Sequence, residues 1–248
     1  MKDLTSKLFR ALFPDQSRRW IEMQYIARIK KYGGVKGLDK IIEIECRSDI
    51  GPNKYYIEVG ANDGIRQSNT LFREKKYGMT SLLIEPSPPR FLDLIKNRSN
   101  QNRFYCAALV SFDYQDDFVP MIYADLMSIS KLEESDDRPG FDRHLKRSEK
   151  HLRKGEVQFE FAAKAMTLTE ALDGARAPKQ IEIFSLDVEG SELNVLKGVD
   201  FNKYCMNNMV IETRDIDNVR NYLAKFGMKL HMKISGHDYI FKRVDPDT

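Results

Sequence analysis

Residues 55–64, Tyr-Tyr-Ile-Glu-Val-Gly-Ala-Asn-Asp-Gly, constrain the fold of this chain more than any other stretch. An apolar, β-rich run from Tyr55 to Val59 breaks into two glycines and small polar residues, and helix-compatible sequence follows. A strand that feeds a tight glycine turn and then a helix is the ligand-binding corner of doubly wound α/β domains. Gly60 and Gly64 give the backbone room to turn sharply, and a turn without Cβ atoms lets a ligand approach the main chain.

Glu58, at the end of that strand, bears on which ligand. The pattern is acidic-x-Gly-x-x-x-Gly, not the Gly-x-Gly-x-x-Gly of dinucleotide sites. A carboxylate there repels a pyrophosphate and suits a cationic amino-acid group, which favours S-adenosylmethionine over NAD or ATP. Ser68 or Asn69 can cap the next helix. Residues 80–85 read as a second strand that ends in Glu85 and is stopped by Pro86. An acid roughly 20 residues past the glycine turn is placed to hold ribose hydroxyls; the plainer alternative is a solvated strand end. Residues 103–110 read as a third strand, with Ala107 and Ala108 small enough for a flat base to lie against. Between them, residues 88–98 read as a helix with Phe91, Leu92 and Ile95 inward.

The chain has 248 residues and a net charge of +3, enough for a sizeable core and too mildly basic to argue for nucleic acid. Cys46, Cys106 and Cys205 have no paired spacing, and Cys106 and Cys205 read as small core residues of a protein in a reducing cytoplasm. No apolar run approaches a membrane span, and the N-terminus lacks the apolar core of a signal peptide. Two amphipathic helices are expected before Gly33-Gly34. They read either as a cap on the main domain or, through Arg18, Arg19, Arg28, Lys30 and Lys31, as a basic surface for a membrane or partner. The run 133–155 is strongly charged. It reads as a solvated helix or as a lid whose Arg143, Lys146, Arg147 and Lys150 grip an anionic substrate. Residues 118–123 look like an edge strand, residues 156–166 alternate like a strand, and Thr167-Leu-Thr-Glu170 is a capping box.

Carboxylates gather in the last third. A buried strand, residues 181–187, runs into Asp187-Val188-Glu189-Gly190-Ser191-Glu192, and another strand ends in Glu212. Acids crowded at strand ends can abstract a proton, orient hydroxyls or hold a cation. They can also simply cap a helix and favour its first turn. A C-terminal hairpin carries His237 at its tip, a residue type that can serve as a general base.

Four segments in order, YIEVGANDGIRQSNT, LLIEPSP, FSLDVEGSELNVLKG and MVIET, resemble the FkbM-type family of S-adenosylmethionine-dependent methyltransferases over roughly residues 55–244. The resemblance implies the class I methyltransferase fold: α/β, Rossmann-like, with a seven-stranded, mostly parallel sheet whose last strand is antiparallel, and helices on both faces. Carried over by position, Glu58, Gly60, Ala61, Asn62, Asp63 and Gly64 form the turn around the methionine part. Ser68 and Asn69 open the following helix, Glu85 and Pro86 lie at the ribose, Ala107 or Ala108 faces the adenine, and Asp187 lies beside the transferred methyl.

The organisation expected is an N-terminal helical extension, residues 1–50, and a methyltransferase domain, residues 51–248, with 133–155 as a charged insertion. The activity expected is O-methylation of a sugar hydroxyl on a small-molecule or glycan intermediate, anionic if the charged segment grips it. A non-sugar natural product, or a fold that binds without catalysis, are the alternatives. His237 ranks first as base, with Asp187 and Glu189 orienting the acceptor; Mg²⁺ held by Asp187 and Glu212 ranks second. A cytoplasmic protein is expected, peripheral to a membrane if the basic N-terminal segment docks there.

Overall fold

The computed structural model describes residue 34 and residues 37–131, 146, 148–153 and 155–244. The two expected N-terminal helices, together with Arg143 and Arg147, lie outside the described residues. Numbered in chain order, the strands are β1 (Tyr55–Val59), β2 (Thr80–Ile84), β3 (Arg103–Tyr105), β4 (Ala108–Leu109), β5 (Phe118–Tyr123), β6 (Ile129–Ser130), β7 (Phe159–Met166), β8 (Gln180–Leu186), β9 (Cys205–Glu212), β10 (Met228–Lys233) and β11 (Asp238–Arg243). The α-helices are α1 (Leu38–Glu45), α2 (Leu71–Tyr77), α3 (Pro88–Asn97), α4 (Leu168–Ala175), α5 (Glu192–Lys197) and α6 (Ile216–Ala224). Among the described residues no helix is long and apolar enough to cross a membrane.

Seven strands form one sheet in the order β10-β11-β9-β8-β1-β2-β3. All neighbours are parallel except β11, which is antiparallel to both β9 and β10. This is the expected sheet. Its central strands are apolar on both faces because helices cover both: β1 is buried at every position. Leu38 and Ile42 of α1 and Leu94 of α3 pack on one face with Tyr56, Leu83 and Ile183. Leu172 of α4, Leu196 of α5 and Leu223 of α6 pack on the other with Ile57, Ile84 and Phe184. The capping box forms as read: Thr167 accepts from the Glu170 N–H and Glu170 from the Thr167 N–H.

Four expectations change. The run 103–110 is two strands, because the chain leaves β2 after Tyr105 and pairs again, as β4, with Ala165 and Met166 of β7. A β-prone run states that a segment is extended, not which neighbour it keeps. Residues 118–123 are not an edge strand: β5 lies between β7 and β6 in a second sheet of order β4-β7-β5-β6. In α3 it is Arg90, Leu94 and, just past the helix, Arg98 that turn inward, whereas Leu92 is 52% and Ile95 40% exposed. Two arginines on the inner row disguise it as a polar face. Cys46 is the buried thiol, and Cys106 and Cys205 are only half-buried. Helix α1 was not foreseen.

The inward arginines are satisfied by acids. Arg98 has no side-chain exposure and contacts Glu58 at 3.2 Å and Glu74 at 2.8 Å. It also donates to the Tyr56 hydroxyl at 2.6 Å, to Thr70 Oγ1 at 3.2 Å and to the Gly64 carbonyl at 3.3 Å. Removing one partner of such a buried set strands the others without solvent. Arg98→Met is therefore expected to destabilise the protein by about 3–5 kcal/mol, read from urea unfolding at unchanged slope; a loss under about 1 kcal/mol would mean that Glu58 and Glu74 regain water without it.

Candidate active site

A cavity of about 290 Å³ opens where β1, β2, β8 and β9 end and β11 begins, with the second sheet as its far wall. Glu58, Gly60, Ala61, Asn62, Ser68, Asn69, Glu85, Pro86, Ala107, Ala108, Asp187, Glu189 and Glu212 all line it. The glycine turn is forced by contact. Gly60 has φ 82°, and a Cβ on it would overlap the Asp187 carbonyl oxygen, so the ends of β1 and β8 meet backbone to backbone. The Asp187 N–H donates to the Val59 carbonyl at 3.1 Å and closes this junction.

Glu58 is not left open for a cationic ligand. Its carboxylate accepts from Ser68 Oγ and from the Asn69 N–H, each at 2.9 Å, from the Thr70 hydroxyl and from Arg98. It holds the entry to α2 in place; the N-cap is Thr70, without a side-chain cap bond, and Ser68 Oγ accepts from the Leu71 N–H at 3.1 Å. Asn69 donates to Ser185 Oγ at 3.2 Å, and its Oδ1 is a buried acceptor without a partner among the described residues. Asp63 and Gly64 do not line the cavity. Asp63 accepts from the Ile65 and Arg66 N–H groups at 3.0 and 2.8 Å, and from the side chains of Arg66 and Arg153 at 2.8 and 3.0 Å. A Cβ on Gly64 would press on Arg98 Cγ and Leu94 Cδ1, each at 2.7 Å.

Glu85 sits at the end of β2 as a buried acceptor, taking the Asn62 N–H at 2.8 Å and the Ser87 N–H at 2.9 Å. Burial pushes its carboxyl up to about 7, against the pull of those two N–H bonds and Arg90.

At the other end of the cavity Asp187, Glu189, Glu212 and Asp238 form a carboxylate edge. Burial and then the Glu212 and Glu189 charges raise Asp187 well above the ordinary aspartate range. Burial and Glu212 push Glu189 up to about 7, opposed by Arg214 at 3.6 Å. Asp238 was missed in favour of its neighbour. It is the first residue of the antiparallel strand and pairs across the ladder with Glu212, so it faces the cavity. His237 is exposed and does not line the cavity; its carbonyl accepts the Thr213 N–H at 2.8 Å. Among the described residues no group of three or more His, Cys, Asp or Glu is arranged to hold a metal ion.

The second sheet and its turns supply what no motif signalled. Val119, Met121, Ser128 and Ser130 line the cavity, and Ser130 Oγ lies 2.7 Å from Ser191 Oγ across it. The alternation of β5 was legible, but nothing in it named the element it faces. Lys146 and Lys150 are exposed and away from the cavity. The end of the charged segment reaches the glycine turn, where Arg153 lies 3.0 Å from Asp63.

Residues 58–230 match the methyltransferase FkbM domain. No curated protein matches the sequence. Among solved structures, a precorrin-6y C5,15-methyltransferase from Geobacter metallireducens GS-15 is similar at 9% identity and a TM-score of 0.43, over 86% of this chain and 93% of that one. A methyltransferase FkbM from Methylobacillus flagellatus KT is similar at 12% identity and a TM-score of 0.42, over 91% of this chain; the chain spans 59% of that structure's length.

A ligand that donates hydroxyls to Glu85 requires the ionised carboxylate. Affinity for S-adenosylhomocysteine is therefore expected to rise with pH up to about 7, by up to tenfold per pH unit below it, and then level off. In Glu85→Gln the affinity should be at least tenfold weaker, consistent with about 1.5–3 kcal/mol per charged hydrogen bond, and this step should be absent. Calorimetry between pH 5.5 and 8 reads both effects, and a step of full size in the variant would move the titration to another group.

Proposed function

Because the chain belongs to the FkbM methyltransferase family, an S-adenosylmethionine-using group, we propose that it methylates a hydroxyl of a sugar or glycan intermediate, with the carboxylate edge as proton acceptor. The observation that carries this reading is the pairing, in one cavity, of a buried acid at the end of β2 with a set of proton-accepting acids at the ends of β8 and β9.

The residues present fit the cofactor. Glu85 suits a ribose diol, Ala107 and Ala108 leave space for a flat base, and the unpartnered Asn69 Oδ1 can accept from an ammonium group. Of the seven carboxylates in the lining, Glu58 and Asp125 are paired with the protein's own arginines; Glu85, Asp187, Glu189, Glu212 and Asp238 remain towards the cavity, which suits a ligand with cationic centres. When bound, the cofactor supplies an electrophilic methyl group on a sulfonium.

The protein must then align an oxygen and take its proton. Asp187 is the proton acceptor in this reading, since burial and its neighbours make it more basic than an ordinary aspartate. Glu189 and Glu212 keep it so and accept further acceptor hydroxyls. The Ser130 and Ser191 hydroxyls, opposite, can donate to ring or hydroxyl oxygens. With Arg66 committed to Asp63 and Asp125, the lining favours a neutral or amino-bearing sugar over an anionic one.

The test is transfer of tritiated methyl from the cofactor to a panel of neutral, amino and anionic sugars. Asp187→Asn should lower kcat by about 10²–10⁴, whereas His237→Ala should stay within about twofold of the parent, because the ring faces solvent. Activity that is lost in EDTA and restored by Mg²⁺ would hand Asp187 and Glu212 a ligand role instead. Absence of transfer to every sugar would leave the family's chemistry with another acceptor.

A further inference from the structure

Arg66 and Asp125 line the cavity from opposite sides. Arg66 follows the glycine turn; Asp125 begins the 3-10 turn Asp125–Met127 that leaves the second sheet after β5. Arg66 Nη2 donates to both Asp125 oxygens, at 2.7 and 2.8 Å. Arg66 Nε donates to Asp63 at 2.8 Å, so one guanidinium spans the turn and the far wall. The Asp125 side chain has no exposure and that of Arg66 is 25% exposed, which puts the pair at the rim with the acid inside.

The turn carrying Asp125 is tied together by its own hydrogen bonds. Ser128 Oγ accepts from the Ala124 N–H and donates to the Asp125 carbonyl, both at 3.0 Å, and closes the turn on itself. Leu126, Met127 and Ser128 of the same piece form cavity wall. Asp125 has φ 53°, a left-handed conformation that a non-glycine residue keeps only when its surroundings hold it. Further charges face the pair from α3 and from the segment before β7. Arg90 lies 3.5 Å and Arg153 3.9 Å from Asp125, and these arginines also engage Asp93 and Glu156. The carboxylate is thus drawn towards the glycine-turn side from several directions, while the wall it belongs to hangs from the second sheet.

We propose that the Arg66–Asp125 pair is a latch, a positioning contact that holds the 124–128 turn over the cofactor end of the cavity and sets how fast the cofactor exchanges. Entry or exit past this wall requires the turn to swing away, and the Arg66 Nη2 bonds to Asp125, the shortest of its ion pairs, must break along with the longer contacts to Arg90 and Arg153. Arg66 acts through Asp125 and has no part in methyl transfer. The inference rests on cofactor binding in this cavity.

The experiment is stopped-flow displacement of S-adenosylhomocysteine from the full chain. Arg66→Met keeps the apolar stem of a partly exposed side chain and removes the charge; Asp125 keeps Arg90 and Asp63 keeps Arg153 as partners, and a thermal melt by circular dichroism establishes that the variant is folded before release is read. Release is expected to be at least tenfold faster than in the parent. In the parent, release should also quicken with salt, because a pair at the rim is screened; in Arg66→Met that salt dependence should be gone. Release within twofold of the parent in folded Arg66→Met, or equal salt dependence in both, overturns the latch. Failure of the parent itself to bind S-adenosylhomocysteine would instead overturn the cofactor reading beneath it.

Discussion

The Arg98 guanidinium lies beneath the glycine turn, out of water, between Glu58 and Glu74. Its position explains why an acid can stand at the end of β1 at all. A buried carboxylate alone is costly, and here the nearest cation is carried by the residue after α3, 40 positions along the chain. Neutralised in this way, Glu58 can bind Ser68, Asn69 and Thr70 and fix where α2 begins. The glycine turn, the start of α2 and the end of α3 are one electrostatic unit, and the shape of the cofactor end of the cavity depends on it.

That unit separates the acids that build the site from those left to act. Glu58 and Asp63 are spent on the protein's own cations and N–H groups. Glu85 is held by two backbone N–H groups and retains acceptor capacity. In the edge of Asp187, Glu189, Glu212 and Asp238, Arg214 lies 3.6 Å from Glu189 and opposes its rise. Glu212 and Glu189 raise Asp187, and Glu212 raises Glu189, the condition under which a carboxylate takes up a proton near neutrality.

The sheet was legible in the sequence because its strands are short, apolar and bounded by glycine, proline and acids. The positions of Glu85, Asp187 and Glu212 followed from strand ends alone. What was not legible depends on contacts distant in sequence. Glu58 reads as a ligand group until Arg98 is seen to claim it. His237 and Asp238 are adjacent on a hairpin, and only the ladder with Glu212 decides which of them faces the cavity. The inward row of α3 was hidden because Arg90 and Arg98 are polar in sequence and buried in the fold. The second sheet was read strand by strand without its pairing, so Arg66, Asp125 and Ser130 carried no signal as site residues.

The departure of the chain after Tyr105 has a consequence for how such a molecule can diversify. Strands β5, β6 and β7 belong to the second sheet and are absent from the ladder that orders the seven-stranded sheet. Val119, Met121 and Ser130 can therefore change size or polarity without shifting the register of β1, β2 and β8. One scaffold thus keeps a constant half of the cavity beside an interchangeable wall, and a new ligand calls for repainting that wall, not for a new fold.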